Sequence, residues 1–244
     1  MNYEGVFFDF DYTLGDSTPA ITEGYRRGFQ ALGHEPPTVE QVRPTIGLTL
    51  MDGYTQLTGD SSEEHRREFY RQFQLAVGKL ANREGQAIMI EGTQLFPGAV
   101  ELLEWLRECR VRTAIVSTKP GITLRQIFAF RKLDHLLELV IGGDEVTQAK
   151  PDPEGLNLAL ERLGLTAERT LFCGDTVIDA ATARAAGCSF AAVLNGTTPR
   201  AAFANYPHVH IANNLEELKG WLERTDSKFQ NSCKCGRTPQ SAFR

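Results

Sequence analysis

Apolar positions along this chain follow two rhythms. Short apolar runs at 6–10, 113–116, 139–141, 171–173 and 190–194 have the length and content of strands buried on both faces. Between them, apolar residues recur every three to four positions. Val100, Leu103 and Leu106 mark one helix, and 122–130, 153–163 and 178–186 mark three more, the last two closed by Gly164 and Gly187. Repeated strand-then-helix units predict a parallel sheet covered on both faces. A last helix starts at Asn214 and carries Leu215, Leu218 and Trp221.

One stretch breaks this alternation. Residues 17–32 place Ile21, Tyr25, Phe29 and Leu32 at helical spacing before Gly33. Ser61 and Glu64 form a capping-box pattern ahead of a helix with Phe69, Phe73, Ala76, Val77 and Leu80 on one side. The predicted organisation is therefore an α/β, Rossmann-like core of residues 1–15 and 93–224, with an all-helical cap, 16–92, inserted into it. The connections fall near 15–18 and 91–97. Residues 225–244 turn polar and lose periodicity, which predicts a flexible tail. Cys233 and Cys235 within it are weak metal-site candidates, having no second pair nearby.

Composition narrows the partners. Of 244 residues, 41% are hydrophobic and 23% charged, and the net charge is -5. No basic surface for nucleic acid follows from that balance. No apolar stretch is long enough to span a membrane, and no basic-then-apolar segment of a secretory signal is visible. Five cysteines, an odd number with three in predicted core elements, fit reduced thiols in the cytoplasm.

Candidate chemistry concentrates just after predicted strands, where open α/β sheets bind ligands. Asp9, Asp11 and Thr13 follow the first run at alternate positions, so two carboxylates leave a strand end on one face. Close carboxylates repel unless a metal lies between them. Ser117 follows the second run, Lys150 precedes a helix in AKPDPEGL, and Asp175 and Asp179 follow a strand in FCGDTVIDA. Each has a plainer reading: an Asx turn, a helix cap, a solvated lysine, two carboxylates serving a helix dipole. The four together, in order and each at a strand end, favour a reaction centre.

In order and placement these four segments resemble the haloacid dehalogenase superfamily over residues 1–222. TIGLTL at 45–50, FPGAVELLEWL at 96–106, VIGGDEV at 140–146 and TPRAAF at 198–203 resemble its phosphoglycolate phosphatase-like branch. The residue types suit phosphoryl transfer. Asp9 is the candidate nucleophile, and Asp11 the acid that protonates the leaving oxygen and then the base that activates water. Thr13 sets loop geometry. Ser117 offers a hydroxyl, Thr118 a backbone N–H and Lys150 a point charge to the phosphoryl group. Mg²⁺ takes oxygen from Asp9 and Asp175, with Asp179 as a ligand or a partner of one. The resemblance adds the backbone carbonyl of Asp11 to the metal ligands, and it places Ile46 and Gly47 in the cap segment facing the site.

The expected activity is Mg²⁺-dependent hydrolysis of a small-molecule phosphate monoester through an aspartyl-phosphate. A phosphomutase needs basic cap residues, and a phosphonate hydrolase needs a cap lysine, for which Lys79 is the one candidate. A dehalogenase leaves Asp11 and Asp175 without a purpose, and a non-catalytic binding protein would retain four carboxylates for no reaction. Tyr12 stands where the family usually has glycine, so a loop needing positive φ is expected to differ slightly here. Lys119 is open between a pocket residue and a surface ion pair, and Arg43 between a substrate contact and a solvated side chain.

Overall fold

The computed structural model describes residues 3–225. The chain opens with β1 (Gly5–Phe8), crosses β2 (Gly15–Asp16) and enters five helices: α1 (Thr18–Ala31), α2 (Val39–Val42), α3 (Leu50–Thr58), α4 (Glu63–Ala76) and α5 (Arg83–Gly92). It returns through β3 (Gln94–Leu95), then alternates: α6 (Ala99–Glu108), β4 (Arg112–Val116), α7 (Gly121–Phe130), β5 (Leu139–Ile141), α8 (Glu154–Leu163), β6 (Thr170–Gly174), α9 (Val177–Ala186), β7 (Ser189–Val193), β8 (His210–Ala212) and α10 (Leu215–Thr225). Six strands form one parallel sheet in the order β5-β4-β1-β6-β7-β8.

The period of two along β1 explains the layering. Val6 and Phe8 pack with Leu102 and Leu106 of α6, Ile127 of α7 and Leu218 of α10. Phe7 points the other way, into a cluster with Leu156 of α8 and Ala180 of α9. Because both faces are covered, β1 has no polar side and reads as a continuous apolar run. Its neighbours β4 and β6 pair along its whole length, so Phe8 lies level with Ile115 and Cys173. Whatever follows these three strands must emerge together.

The inserted helices have a core of their own, built on Tyr25, Phe29, Tyr54, Phe69 and Phe73. Tyr25 and Phe69 lie 5.0 Å apart, and Tyr54 stacks on Phe69 at 5.1 Å. Helix α4 reaches α1 because α1 has glycine at 24 and 28. A Cβ at Gly24 would collide with the Phe73 ring and come within 2.7 Å of Val77, and one at Gly28 would come within 2.8 Å of Phe69. The insertion joins the core through the two-stranded pair of β2 and β3.

Several sequence expectations shift. Ser62, not Ser61, caps α4, accepting the His65 N–H. That helix stops at Ala76, so Leu80 is off its face and 54% exposed. Helices α2, α3 and α5 and strand β8 carried too little periodicity in too few residues to stand out in sequence. Asn214 does cap α10, accepting the Glu217 N–H at 2.8 Å. The tail with Cys233 and Cys235 lies outside the described residues.

Alanine usually stabilises a helix relative to glycine by about 1 kcal/mol. At Gly24 the added methyl must displace two packed side chains, which costs about 1–3 kcal/mol. Gly24→Ala is thus expected to lower the melting temperature, and a thermal melt showing a rise would refute the close-approach account.

Candidate active site

The parallel pairing delivers the site. The Asp9 N–H extends the ladder one step past β1 by donating to the Cys173 carbonyl at 2.9 Å. The chain then turns tightly: the Phe10 carbonyl accepts from Thr13, Leu14 and Gly15 at 2.9–3.1 Å, and the Tyr12 N–H donates to the Gly15 carbonyl. This turn needs positive φ at position 12, and Tyr12 adopts +59°. The expectation that the loop would differ is therefore corrected. Tyrosine takes the left-handed conformation at a cost of about 1 kcal/mol. Its ring is buried in the core of the inserted helices, and its hydroxyl shares a hydrogen bond with Thr18 Oγ1 at 2.7 Å. Those contacts offset the strain.

Around this turn stand residues from three other elements. Ser117, Thr118 and Lys119 follow β4. The Ser117 hydroxyl accepts the Lys119 N–H at 3.3 Å. Lys119 is buried rather than at the surface, and its Nζ lies 3.1 Å from Asp11 Oδ2. Lys150, from the loop before α8, lies 3.0 Å from Asp9 Oδ1 and 2.6 Å from Asp179 Oδ1 with its side chain 6% exposed. Asp175 follows β6 and Asp179 sits in the first turn of α9. Thr13 Oγ1 reaches Asp175 Oδ1 at 3.4 Å, and the Thr13 carbonyl accepts from Asn195 Nδ2 at 3.2 Å.

Asp179 has both oxygens engaged. Oδ1 takes Lys150, and Oδ2 accepts from the Thr176 backbone N–H at 3.1 Å and from its hydroxyl at 2.6 Å, a reciprocal capping box. Two glycines leave room for this crowd. A Cβ at Gly174 would meet Asp179 Oδ2 at 2.6 Å, and one at Gly196 would collide with Asp175 Oδ2. Gly174, Gly196, Asn195 and Thr176 escaped the sequence reading. Only the glycine flanking Asp175 gave a signal, as a small residue ending an apolar run.

The electrostatics are unbalanced. Asp9, Asp175 and Asp179 can place one oxygen each within 4.8 Å of one another, all buried, with Lys150 as their shared cation. Burial raises the Asp9 carboxyl to about 6, with Asp179 adding to the rise and Lys150 opposing it. Burial, then the charges of Asp179 and Asp9, hold Asp175 well above the usual carboxylate range. Burial works against the Lys150 charge, but Asp179 and Asp9 outweigh it and keep the ammonium protonated. Asp9 Oδ1 has no aligned hydrogen-bond donor, and neither has Asp11 Oδ1. Converging carboxylates with uncommitted oxygens suit a hard divalent cation.

Above this floor lies a cleft of ≈ 320 Å³ between the inserted helices and the strand ends. Asp11, Ser117, Thr118, Lys119 and Lys150 form its core wall, and Ile46 and Gly47 belong to the opposite wall. Asp9 and Asp175 lie beneath, almost fully buried. Arg43 is exposed and stands outside the cleft wall, as does Lys79. No described helix is long and apolar enough to cross a membrane.

A family model described as haloacid dehalogenase-like hydrolase matches residues 6–193. Phosphoglycolate phosphatase 1 of Pseudomonas aeruginosa is 30% identical over 214 residues, covering 87% of this chain and 77% of the relative. A phosphoglycolate phosphatase of Cereibacter sphaeroides is 32% identical over 221 residues, covering 89% and 97%. The crystal structure of a haloacid dehalogenase-like hydrolase from Bacteroides fragilis superposes with a TM-score of 0.82 at 34% identity, covering 89% of this chain and all of that one. A parallel sheet that gathers four aspartates and two lysines at its strand ends, inserted helices above it and these similarities agree: the chain belongs to the haloacid dehalogenase-like hydrolases, among their phosphoglycolate phosphatase-like phosphatases.

Proposed function

We propose that the protein hydrolyses small-molecule phosphate monoesters with the help of Mg²⁺, in two half-reactions at Asp9. The observation that supports this most is the state of Asp9. It sits at the floor of the cleft, one oxygen lacks an aligned donor, and Lys150 and two further carboxylates surround it. The residues best placed to hold the cation are Asp9, Asp175 and the backbone carbonyl of Asp11. When bound, Mg²⁺ supplies positive charge against the phosphoryl oxygens.

In the first half-reaction an Asp9 carboxylate oxygen attacks phosphorus, the bond to the ester oxygen breaks, and Asp11 gives that oxygen a proton. In the second, Asp11 takes a proton from water, which attacks the same phosphorus and releases phosphate from Asp9. Lys119, 3.1 Å from Asp11 Oδ2, orients the acid/base side chain. Lys150, the Ser117 hydroxyl and the Thr118 N–H receive the transferring group's charge. Asp179 holds Lys150 in place through Oδ1, with Thr176 on its other oxygen. Thr13 steadies Asp175. The helices of residues 16–92 act as a lid hinged on the β2–β3 pair, with Gly47 close to Thr176 across the gap. A lid of this kind suits small metabolites rather than nucleic acid or other polymers. The buried thiols of Cys173 and Cys188, neither in a disulfide, fit a reducing, cytoplasmic setting.

Neither a mutase nor a phosphonate hydrolase gains support. The first needs cations in the lid for a second phosphate, and the second needs a lid lysine. Among the described residues, the cations in the cleft wall are Lys119 and Lys150, both from the core.

Asp9→Asn is expected to cut phosphate release from a small ester by roughly 10⁴-fold or more, the scale for deleting a covalent nucleophile. Substantial residual release in a single-turnover assay would reject Asp9 as the attacking group. Asp11→Asn should slow turnover by about 10²–10⁴-fold. Its pH profile should flatten as well, and a wild-type rate would remove the acid/base assignment. Mg²⁺ at a hundred times its Kd should stabilise the fold by about 2.7 kcal/mol. Asp175→Asn should abolish that shift while raising the melting temperature in chelator, since one of three crowded charges is gone. An unchanged Mg²⁺ response in this variant would place the cation elsewhere.

A further inference from the structure

The relatives are named for an ester whose organic part is itself an anion. Such a group must meet a cation or lose its hydration to a site that returns nothing. In this chain the cleft wall supplied by the inserted helices includes the apolar side chains of Ile21, Tyr25, Ile46, Leu50 and Phe73. The two lysines in the cleft wall already have carboxylate partners: Lys119 lies 3.1 Å from Asp11, with Met89 Sδ at 3.7 Å, and Lys150 spans Asp9 and Asp179. The other charged residues in the wall are Asp11, Asp144 and Asp152, all negative. The basic side chains of the inserted helices are absent from the cleft wall, and several have partners of their own. Arg26 and Arg27 pair with Glu23, Arg66 with Asp52, and Arg71 with Glu68.

Polar side chains interrupt the apolar wall at Thr45, Thr49, Tyr70 and Gln74. Gln74, on α4, is 2% exposed and lines the cleft. Its Oε1 accepts the Lys79 backbone N–H at 3.0 Å, which fixes which end of the carboxamide is which. The amide NH₂ therefore presents its donors away from that bond. A cleft that offers such a donor rewards a ligand that brings an acceptor.

We infer that the cleft selects phosphate monoesters whose alcohol portion is uncharged and largely apolar and offers an acceptor to the Gln74 carboxamide, and that it discriminates against a carboxylate there. This rests on the phosphatase reading above and names its substrate class. Phosphate at the core end meets the lysines, the apolar wall covers the carbon skeleton, and Gln74 sets its orientation. Binding energy from these remote contacts is available to the transition state only if no unpaired charge must be buried with them.

The test compares phosphoglycolate with its methyl ester, which has nearly the same size and a neutral carbonyl in place of the carboxylate. Acetyl phosphate serves as a small reporter of the core alone. With full-length protein and Mg²⁺, the methyl ester should exceed phosphoglycolate in kcat/KM by at least about tenfold, equivalent to about 1.4 kcal/mol. Gln74→Leu should raise KM for the methyl ester several-fold more than for acetyl phosphate. Equal or greater kcat/KM for phosphoglycolate, with acetyl phosphate turned over, would overturn the specificity inference and leave the phosphatase reading standing. No release from acetyl phosphate would overturn the phosphatase reading, and the inference with it. The wild-type comparison decides the question even if Gln74→Leu fails to fold.

Discussion

Everything at this site depends on one buried charge imbalance: three carboxylates around a single lysine at the ends of β1 and β6. Like charges within a few ångström of one another in a poorly solvated place repel strongly. The protein does not relieve this with a second lysine in the cluster. Lys119, the nearest candidate, is spent on Asp11. The imbalance is instead tolerated by stiff supports. The ladder bond from Asp9 to Cys173 fixes one carboxylate, the Thr176 capping box fixes another, and both neighbours of that cluster on the chain are pinned between packed strands and helices. A cation that joins this arrangement finds ligands that need little rearrangement, so its binding goes into affinity rather than ordering.

The glycines at 174 and 196 show how tightly the rest of the structure is drawn around that demand. Each lies where a side chain would occupy the space of a carboxylate. The loop after β7 thus contributes more than a connection. It brings Gly196 against Asp175 and Asn195 against the Thr13 carbonyl, so strands that never pair directly with β1 still hold its turn. Tyr12 ties the same turn to the inserted helices through Thr18. The loop that carries Asp9 is therefore braced from both the sheet and the inserted helices.

Much of this was legible in sequence, for physical reasons that can be named. Strands buried on both faces leave unbroken apolar runs, so β1, β4, β6 and β7 were readable within about two residues. Aspartates directly after such runs could be placed at one edge because parallel strands end together. The committed state of Asp179 was not readable, since it depends on Thr176 and on Lys150 arriving from 29 residues away. Lys119 remained ambiguous because a lysine's reach hides whether its head faces solvent. Tyr12 was misjudged for a related reason. Propensity argued against positive φ, and packing in a separate hydrophobic cluster overrode it. Short helices α2, α3 and α5 fell below the length at which periodicity can be distinguished from chance.

The apolar cleft wall and the crowded floor are parts of one electrostatic design. Low polarity above the strand ends keeps water from screening Lys150 and the carboxylates, so each charge there acts at greater strength than it would in solvent. That same wall would make a cation in the inserted helices expensive unless it had its own partner, and Arg26, Arg66 and Arg71 are paired outside the cleft instead. An anionic leaving group would have to enter a place designed around removing water from negative charge without supplying positive charge beyond what the phosphate requires. The inferred selectivity for a neutral alcohol portion would then follow from how the surroundings of Asp9 are kept dry, rather than from a separate feature added to the inserted helices.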